Sequence, residues 1–399
     1  MNRLRVVIVM VEPPLPFGDA TARWFYVLYK GLVDRGHDVT CFATYSKPAS
    51  CDEARTLFPT PRFDLRLYPV SERRGLRGKL DTLRRPFSYL FSEELRSDLE
   101  ATLARGYDIL DLEQLWCGWL ALGHVDRTLL NVHYLLRIDQ SEDHPSTWKG
   151  RAYKALGIAT EARLIRRYRH IRACSPRIAD AVHCLNPLAD VSAVPLGIDV
   201  SLYPYIPDAD RGGPPVITLI GSMHWGPSRS SAYRLLDRLW PEIHRRVPTA
   251  RLRIIGWKAR EALADRLDRE DVEILENVPD TRPYFEATSV FVYAPGRGSG
   301  MKIKIQEAMA YGIPVVTTSE GTEGLPAVDG VHAGICDDDG GLIERTVALL
   351  GDVAAQNRQR SAARELLESV CGPGPTVDAV EALYAKICNP MPPEGRGSR

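Results

Sequence analysis

Short runs of consecutive apolar residues alternate along the first half of the chain with longer segments in which apolar residues recur at helical spacing. Residues 6–11 are apolar, mostly β-branched and bounded by prolines, which is typical of a strand buried on both faces of a sheet. Residues 20–35 repeat apolar positions every three or four residues and precede Gly36, a residue type that commonly ends helices. This alternation predicts a parallel, doubly wound α/β sheet. Further strands are predicted at residues 38–43, 107–112, 128–132, 171–173 and 192–194.

The same pattern begins again near residue 214, where PPVITLIGSMHWGPS places an apolar strand before a glycine-containing loop and a helix. The segment 201–213 is rich in proline, glycine and aspartate, which is typical of a linker. We therefore predict two Rossmann-like domains, residues 1–200 and 214–371, that face each other across a cleft. Ligands of such sheets bind outside the carboxyl ends of the strands. The second set of strands is predicted at residues 252–256, 272–275, 290–293 and 314–317.

Composition and charge argue against several classes of protein. The hydrophobic content of 44% and charged content of 26% are ordinary for a globular protein, and the formal net charge of zero argues against nucleic-acid binding. The eight cysteines form no CxxC motif, so we expect reduced core residues and a cytoplasmic location. No apolar run approaches the roughly 20 residues that span a bilayer. Glu12 and prolines follow the first strand where a signal peptide would have small residues. The polar tail, residues 389–399, is predicted to be flexible.

The densest cluster of candidate binding residues is GRGSGMKIKIQEAMAYG at residues 296–312. Glycines after a buried strand allow backbone N–H groups to approach an anion, and the helix predicted at residues 303–311 directs its positive N-terminus to the same loop. Lys302 and Lys304 add full charges, and Glu307 can accept both hydroxyl groups of a ribose. Each feature alone is also typical of a surface turn, of solvated lysines or of a glutamate that favours a helix. Their coincidence favours binding of a diphosphate.

Residues 298–325, GSGMKIKIQEAMAYGIPVVTTSEGTEGL, closely resemble the donor-binding signature of retaining GT-B glycosyltransferases of group 1 and family 4. Further matches at GSMHWGPS, ARLRIIGW, NVPDTRPYFEATSVFVYAP and VPLGIDVSLY extend the resemblance over most of the chain. The resemblance implies the GT-B fold and transfer of a sugar, with retention, from a UDP- or GDP-linked donor to a hydroxyl acceptor. It also implies that the nucleotide binds the second domain, that the acceptor binds the first, and that a last helix at residues 376–388 returns to the first domain.

The resemblance also assigns contacts residue by residue. Glu307 would hold the ribose, Lys302, Lys304 and the loop backbone would hold the diphosphate, and Val278 would offer its backbone to the base. Ser299 stands where a glutamate that contacts the sugar is commoner, so the identity of the sugar stays open. The implied donor-binding residues are Gly18, Gly221, Ser222, Val278, Gly298, Ser299, Gly300, Met301, Lys302, Lys304 and Glu307.

The implied chemistry depends on stabilising a departing diphosphate. Lysines and a helix dipole can supply that stabilisation, so we expect neither a metal nor another cofactor. The acidic run at residues 337–339 is interpreted as a solvated loop or a helix cap. His133 follows the strand at residues 128–132, and the resemblance implies that it contacts the donor sugar near the reacting carbon; the alternative is a structural histidine. His133, Lys304 and Glu307 are the candidate catalytic residues.

Other candidates carry less specific signals. Asp139 and Glu142 are weaker candidates for steering the acceptor, and a phosphate contact by His224 or Arg229 is left open. The basic stretches at residues 72–91 and 148–170 interleave Lys and Arg with aromatic residues. They are typical of solvated helix faces, and alternatively of a peripheral contact with the inner face of a membrane that presents a lipid-linked acceptor.

We therefore expect a glycosyltransferase of polysaccharide or glycolipid assembly, with a nucleotide-sugar donor, a carbohydrate or lipid-linked acceptor and no nucleic-acid partner. The alternatives are a nucleotide-sugar-binding or scaffold protein without transfer activity, and a sugar-nucleotide epimerase or a phosphorylase on the same fold.

Overall fold

The computed structural model describes residues 3–18, 20–59, 63–70, 85–141, 147–206, 213–266 and 270–389. Contacts between residues divide the chain into two units, Met1–Gly197 with Pro373–Arg399 and Ile198–Gly372. The sequence placed this boundary later, with a linker at residues 201–213. Ile198, Val200 and Tyr203 are buried in the core of the second unit, so the chain joins that unit before the predicted linker. Residues 207–212 of the linker lie outside the described residues.

In the first unit the described residues form a seven-stranded parallel sheet in the order β3-β2-β1-β4-β5-β6-β7. The apolar run of β1 lies at its centre, where Val6 is paired with Val39 on one side and Ile109 on the other. The strands are β1 Arg5–Met10, β2 Asp38–Tyr45, β3 Asp64–Pro69, β4 Ile109–Leu112, β5 Thr128–Val132, β6 His170–Ala173 and β7 Asp190–Ala193. The helices between them are α1 Ala20–Asp34, α2 Pro48–Leu57, α3 Glu93–Ala104, α4 Leu136–Asp139, α5 Trp148–Ile165 and α6 Pro176–Leu185.

In the second unit the described residues form a six-stranded parallel sheet in the order β10-β9-β8-β11-β12-β13. Its strands are β8 Val216–Ile220, β9 Arg251–Gly256, β10 Val272–Glu276, β11 Val290–Tyr293, β12 Val315–Thr317 and β13 Gly334–Ile335. Its helices are α7 Gly226–Arg234, α8 Trp240–Arg246, α9 Ala259–Ala262, α10 Arg282–Glu286, α11 Ile303–Ala310, α12 Asp339–Gly351 and α13 Val353–Leu366.

The last helix, α14 (Pro373–Cys388), belongs to the first unit. It packs closely on α1, where a Cβ on Gly31 would lie 2.6 Å from Val377. His37 and Glu381 are also joined, at 2.7 Å between Nε2 and Oε1. The helix begins earlier than predicted because prolines are tolerated in a first turn, whose N–H groups need no partner within the helix. Residues 390–399 of the predicted tail lie outside the described residues.

The two parallel sheets confirm the predicted fold class of two doubly wound α/β domains. The sequence missed two edge strands, β3 and β13. Charged residues Asp64 and Arg66 interrupt the apolar pattern of β3, whose residues are mostly half-buried, and β13 has two residues. An edge strand buries little surface and therefore leaves a weak hydrophobic signal. Among the described helices, none combines the length and apolar character needed to cross a membrane.

Candidate functional site

The candidate binding residues of the second unit lie at the carboxyl ends of its strands. The strands β10, β9, β8, β11 and β12 are adjacent and parallel, so the loops that follow them meet at one edge of the sheet. The Gly221 N–H donates to the carbonyl of Ile255 on β9 at 2.9 Å, and Thr318 Oγ1 donates to the Pro295 carbonyl of the neighbouring loop at 3.0 Å. Ligands of open parallel sheets bind at such an edge.

The glycine loop between β11 and α11 has a conformation that requires glycine. Gly298 and Gly300 have φ of 153° and 79°, a region that side chains disfavour. A Cβ on Gly298 would also lie 3.0 Å from Pro227. The loop leads directly to the first residue of α11, Ile303, as predicted. Backbone N–H groups and a helix N-terminus therefore lie within a few residues of each other, which is the arrangement that binds anions.

Lys304 directs its ammonium group into this edge. Its Nζ donates to Ser228 Oγ at 2.6 Å and lies 4.5 Å from the centre of the Tyr293 ring. A Cβ on Gly221 would be 2.7 Å from the same Nζ, so the ammonium lies against the loop that follows β8. Burial, reinforced by the charge of Lys302 and opposed by Glu307, lowers the pKa of Lys304 to about 7. Binding of an anion beside Lys304 would therefore favour protonation of its amine, because the negative charge stabilises the ammonium form.

Lys302 has a different environment from Lys304, although both were predicted to hold the diphosphate. Its Nζ donates to the carbonyl of Gly300 at 2.5 Å and lies 3.4 Å from that of Ser299. The carboxylate of Glu323 is 4.0 Å away, and both side chains are buried. Lys302 therefore stabilises the folded glycine loop from within.

The remaining predicted donor residues of the second unit lie along the same edge. Gly221 and Ser222 follow β8, Val278 is half-buried after β10, and Glu307 lies three residues after Lys304 on α11. Residues three apart on a helix share a face, so Glu307 and Lys304 are neighbours. The structure thus brings together the loop glycines, Met301, Lys304, Glu307 and Gly221 around α11. Ser228 was missed; its place in the first turn of α7, directly after a strand and a glycine-containing loop, was the available signal.

The two predicted site residues of the first unit, Gly18 and His133, lie in different segments of that unit. Gly18 precedes α1, and a Cβ there would lie 2.6 Å from that of Ala22. His133 is 6% exposed and directly follows β5. Its Nε2 lies 3.3 Å from the carboxylate of Glu113, which directly follows the neighbouring strand β4 and was also missed by the sequence analysis.

Glu113 belongs to a buried polar network at the centre of the first sheet. Its carboxylate accepts a hydrogen bond from Trp24 Nε1 at 2.7 Å, and Arg172 Nη1 lies 3.8 Å away. Asp111, on β4, accepts from Asn131 at 2.5 Å and from Tyr384 of α14. Burial, together with the charge of Glu113, raises the pKa of Asp111 well above its usual range. Few sequence signals mark such a network, because its members come from five separate segments.

The weaker candidates have varied surroundings. The ring of His224 is exposed and packs edge-on against Trp257, with centroids 5.5 Å apart, and Arg229 is exposed on α7. Asp139 ends α4, and Glu142 lies outside the described residues. The start of α4 is held by Glu161, whose carboxylate accepts from Leu136 N–H at 2.6 Å.

The acidic run at residues 337–339 caps a helix, as one of the two interpretations predicted. Asp338 accepts from Gly341 N–H at 2.8 Å at the start of α12, and Asp339 pairs with Arg234 at 2.7 Å. Within the described ranges, no three His, Cys, Asp or Glu side chains are grouped so as to hold a metal ion. All eight cysteines are free, but Cys184 and Cys388 are exposed and so do not belong to the core.

Of the two basic stretches, residues 72–84 lie outside the described residues, while residues 148–165 form α5. The first half of this helix is open to solvent, with Trp148 70% and Tyr153 64% exposed. Lys149 and Arg151 are exposed on the same turns. Large exposed aromatic side chains beside basic ones are unusual for a helix that faces water alone.

Comparison with protein families gives two matches, one in each half of the chain. The family model for glycosyltransferase family 4 matches residues 21–202, and that for glycosyl transferases group 1 matches residues 214–352. Glycogen synthase of Mycobacterium tuberculosis is 26% identical over 236 residues, which are 56% of this chain and 56% of that protein. The match therefore spans about half the length of this relative.

Solved structures resemble the chain over nearly its whole length. HepE from Anabaena, in complex with UDP and glucose, has a TM-score of 0.68 at 13% identity, covering 96% of this chain and 100% of HepE. Sucrose-phosphate synthase from Thermosynechococcus elongatus has a TM-score of 0.70 at 15% identity, covering 96% and 99%. At these identities the likeness concerns the fold, and it confirms the predicted GT-B architecture.

Proposed function

Since this chain belongs to the glycosyltransferases of group 1 and family 4, we propose that it transfers a sugar, with retention, from a nucleoside-diphosphate sugar to a hydroxyl acceptor. The observation that carries the proposal is the enclosed ammonium of Lys304. It lies between Ser228, Gly221 and the ring of Tyr293 at the carboxyl edge of the second sheet, beside a glycine loop and a helix N-terminus.

The proposed reaction breaks the bond between the anomeric carbon and the diphosphate oxygen and forms a bond from the acceptor oxygen to that carbon. Negative charge accumulates on the departing diphosphate. Lys304, the N-terminus of α11 and the loop N–H groups stabilise this charge, and removing one such preorganised group typically costs about 10²- to 10³-fold in rate. Glu307 holds the ribose, and the backbone of Val278 contacts the base. In the first unit, Gly18 is proposed to bind the donor and His133 to contact its sugar. The reaction proceeds without a metal or other cofactor.

We propose a uridine diphosphate sugar as the first donor to test, with a guanosine diphosphate sugar as the second. HepE, whose fold this chain shares, has been solved in complex with UDP-glucose. Trp257 directly follows β9, the strand adjacent to β10, and Val278 lies two residues after β10. The exposed ring of Trp257 offers a surface on which either base could stack.

The proposed acceptor is a growing polysaccharide or glycolipid, used on the cytoplasmic face of a membrane. The support is α5, whose exposed Trp148 and Tyr153 stand among Lys149, Arg151 and Lys154. Interfacial helices place aromatic residues at the headgroup level and basic residues against anionic lipids.

Vesicle sedimentation tests whether α5 binds a membrane. Binding of the protein to vesicles that contain anionic lipid is expected to be lost in a variant with Trp148→Ala and Lys149→Glu.

The central test is a thermal-shift screen of nucleoside diphosphates and nucleotide-sugars, followed by a transfer assay with the donor that binds. A ligand at 100 times its Kd stabilises the folded protein by about 2.7 kcal/mol, which is readily detected. We expect transfer to be unchanged by EDTA and lost in Lys304→Ala, which should remain folded. Tight binding without transfer to any acceptor would instead indicate a nucleotide-sugar-binding protein, and release of an epimer would indicate an epimerase.

A further inference from the structure

We infer that Glu113 is a positioning residue for His133: it holds the imidazole proton on Nε2 and leaves Nδ1 to accept a hydrogen bond from a sugar hydroxyl. The inference rests on the proposed function for the identity of the ligand. The residues that carry it all belong to the first unit.

The strand register brings the two side chains together. β4 and β5 are adjacent parallel strands, with Leu112 paired to Leu130, and each is followed directly by one of the two residues. The His133 Nε2 and the Glu113 Oε2 are 3.3 Å apart. The side chains of Glu113 and His133 are 0% and 5% exposed, so their interaction is weakly screened by water.

The carboxylate of Glu113 is itself held in place. Trp24 Nε1 donates to the same oxygen, Oε2, at 2.7 Å. Arg172 supplies a buried counter-charge 3.8 Å from Oε1 and is fixed by hydrogen bonds to Asn131 Oδ1 at 3.0 Å and to the Pro195 carbonyl at 2.8 Å. Its guanidinium also lies 4.2 Å from the centre of the Trp24 ring. A buried carboxylate is tolerated when such partners compensate for lost hydration, and here they fix its position beside His133.

The chemistry of the pair decides which nitrogen faces a ligand. An ionised carboxylate only accepts hydrogen bonds, so the imidazole nitrogen nearest to it is the one that carries the proton. Among the described residues, neither ring nitrogen of His133 has a hydrogen-bond partner in good geometry. With the proton on Nε2, 3.3 Å from the Glu113 carboxylate, Nδ1 remains as an acceptor. Such an acceptor suits a hydroxyl group and not a phosphate, which offers no proton near neutral pH.

Asp111 provides a matched control within the same network. It is fully buried two residues before Glu113, and its carboxyl group accepts hydrogen bonds from Asn131 and Tyr384. Asparagine has nearly the same size and shape as aspartate, so Asp111→Asn preserves the packing at this buried position. Asp111→Asn therefore changes the same buried network without altering either member of the proposed pair.

The first experiment determines which ring nitrogen of His133 carries the proton. Nitrogen-15 NMR of the imidazoles distinguishes protonated from unprotonated ring nitrogens, and the His133 signals are assigned by their loss in His133→Asn. We expect a single tautomer with the proton on Nε2 in the wild type and in Asp111→Asn, and tautomer exchange in Glu113→Gln. A proton on Nδ1 in the wild type, or an unchanged spectrum in Glu113→Gln, overturns the inference. This measurement needs no transferase activity, so it separates failure of the inference from failure of the proposed function.

The second experiment asks whether Glu113 acts through His133 during transfer. We expect Glu113→Gln to lower kcat about 10- to 100-fold, the size of effect that carboxylates orienting a histidine have in metal sites, while nucleoside-diphosphate binding stays unchanged. In a His133→Asn background the same substitution should change kcat by less than about threefold, because interacting residues are not additive. An equal loss in both backgrounds, or an equal loss in Asp111→Asn, would show a structural role and overturn the inference.

Discussion

Lys302 and Lys304 are two residues apart in the sequence, yet the structure gives them different roles. Lys302 is held by the carbonyls of its own loop and lies near Glu323, whereas Lys304 reaches across to Ser228 on α7. The difference follows from backbone direction: Lys302 is the residue before α11 and Lys304 lies in its first turn. Lys302 thus contributes to the shape of the loop, and we propose Lys304 as the lysine whose contact with the diphosphate is tested first.

The pKa of Lys304 gives a prediction for the affinity of nucleoside diphosphates. Because this pKa is about 7, below its ordinary value, the unliganded protein loses the positive charge as pH rises through 7. A diphosphate prefers the charged form, so its Kd should rise by up to about tenfold per pH unit above pH 7.5. In that range the terminal phosphate, with a second pKa of about 6, has already ionised.

Calorimetry between pH 7.5 and 9.5, in two buffers of different ionisation enthalpy, would measure both the Kd and the proton uptake. Lys304→Met is the control, since its weaker affinity should not vary with pH. A wild-type Kd that is constant with pH would contradict the assignment.

Gly221→Ala tests the close packing around the ammonium. The added Cβ would lie 2.7 Å from Lys304 Nζ and 2.9 Å from Ser228 Oγ, so the ammonium group must leave its present position. We expect nucleoside-diphosphate affinity to fall about tenfold or more, the loss of one charge-assisted contact. Gly226→Ala, at the first residue of α7, is the control, because its Cβ would meet nothing within 4 Å. Equal affinities for the two variants in a calorimetric titration would count against the proposed cradle.

At the scale of elements, the strongly apolar strands were predicted well, whereas two of the four edge strands of the described sheets, β3 and β13, were missed. β5 and β11 have the predicted bounds, and β1 differs by one residue at each end. These strands are buried on both faces, so nearly every residue in them is apolar. Strand β3 alternates leucine with charged residues at a sheet edge. It is recognised as a strand only from its pairing with β2 in the structure.

The attachment of α14 gives a prediction at this scale. Tyr384 donates to the buried Asp111, so Tyr384→Phe leaves that carboxyl group with one donor fewer. We expect the free energy of unfolding to fall by about 1–3 kcal/mol, measured by urea denaturation. Lys386→Ala on the same helix, whose exposed side chain lies 3.7 Å from Asp190, should change it by less than about 0.5 kcal/mol. Equal stability of Tyr384→Phe and the wild type would show that the hydrogen bond from Tyr384 to Asp111 contributes nothing to the attachment of α14.

At the scale of the whole molecule, the two units have separate sheets. We therefore expect the nucleotide and the sugar of the donor to change hydrogen exchange in different units. We expect UDP to slow hydrogen exchange chiefly in the second unit, around Gly221, residues 298–302 and α11. A sugar-linked donor should add protection around His133, because the sugar is the part that the first unit is proposed to contact. Mass spectrometry of exchanged peptides, with UDP and UDP-glucose at equal saturation, would separate the two effects. Protection by UDP mainly within the first unit would contradict the proposed division.

The sequence by itself determined the two parallel sheets, the glycine loop, the start of α11 and the family, because these depend on local periodicity and on a contiguous motif. Only the tertiary structure decided that Lys304, and not Lys302, meets Ser228, and that Glu113 lies beside His133. Those contacts join side chains that are 76 and 20 residues apart in the chain. Strand order and register create them, and neither quantity can be read from the spacing of residues along a single segment.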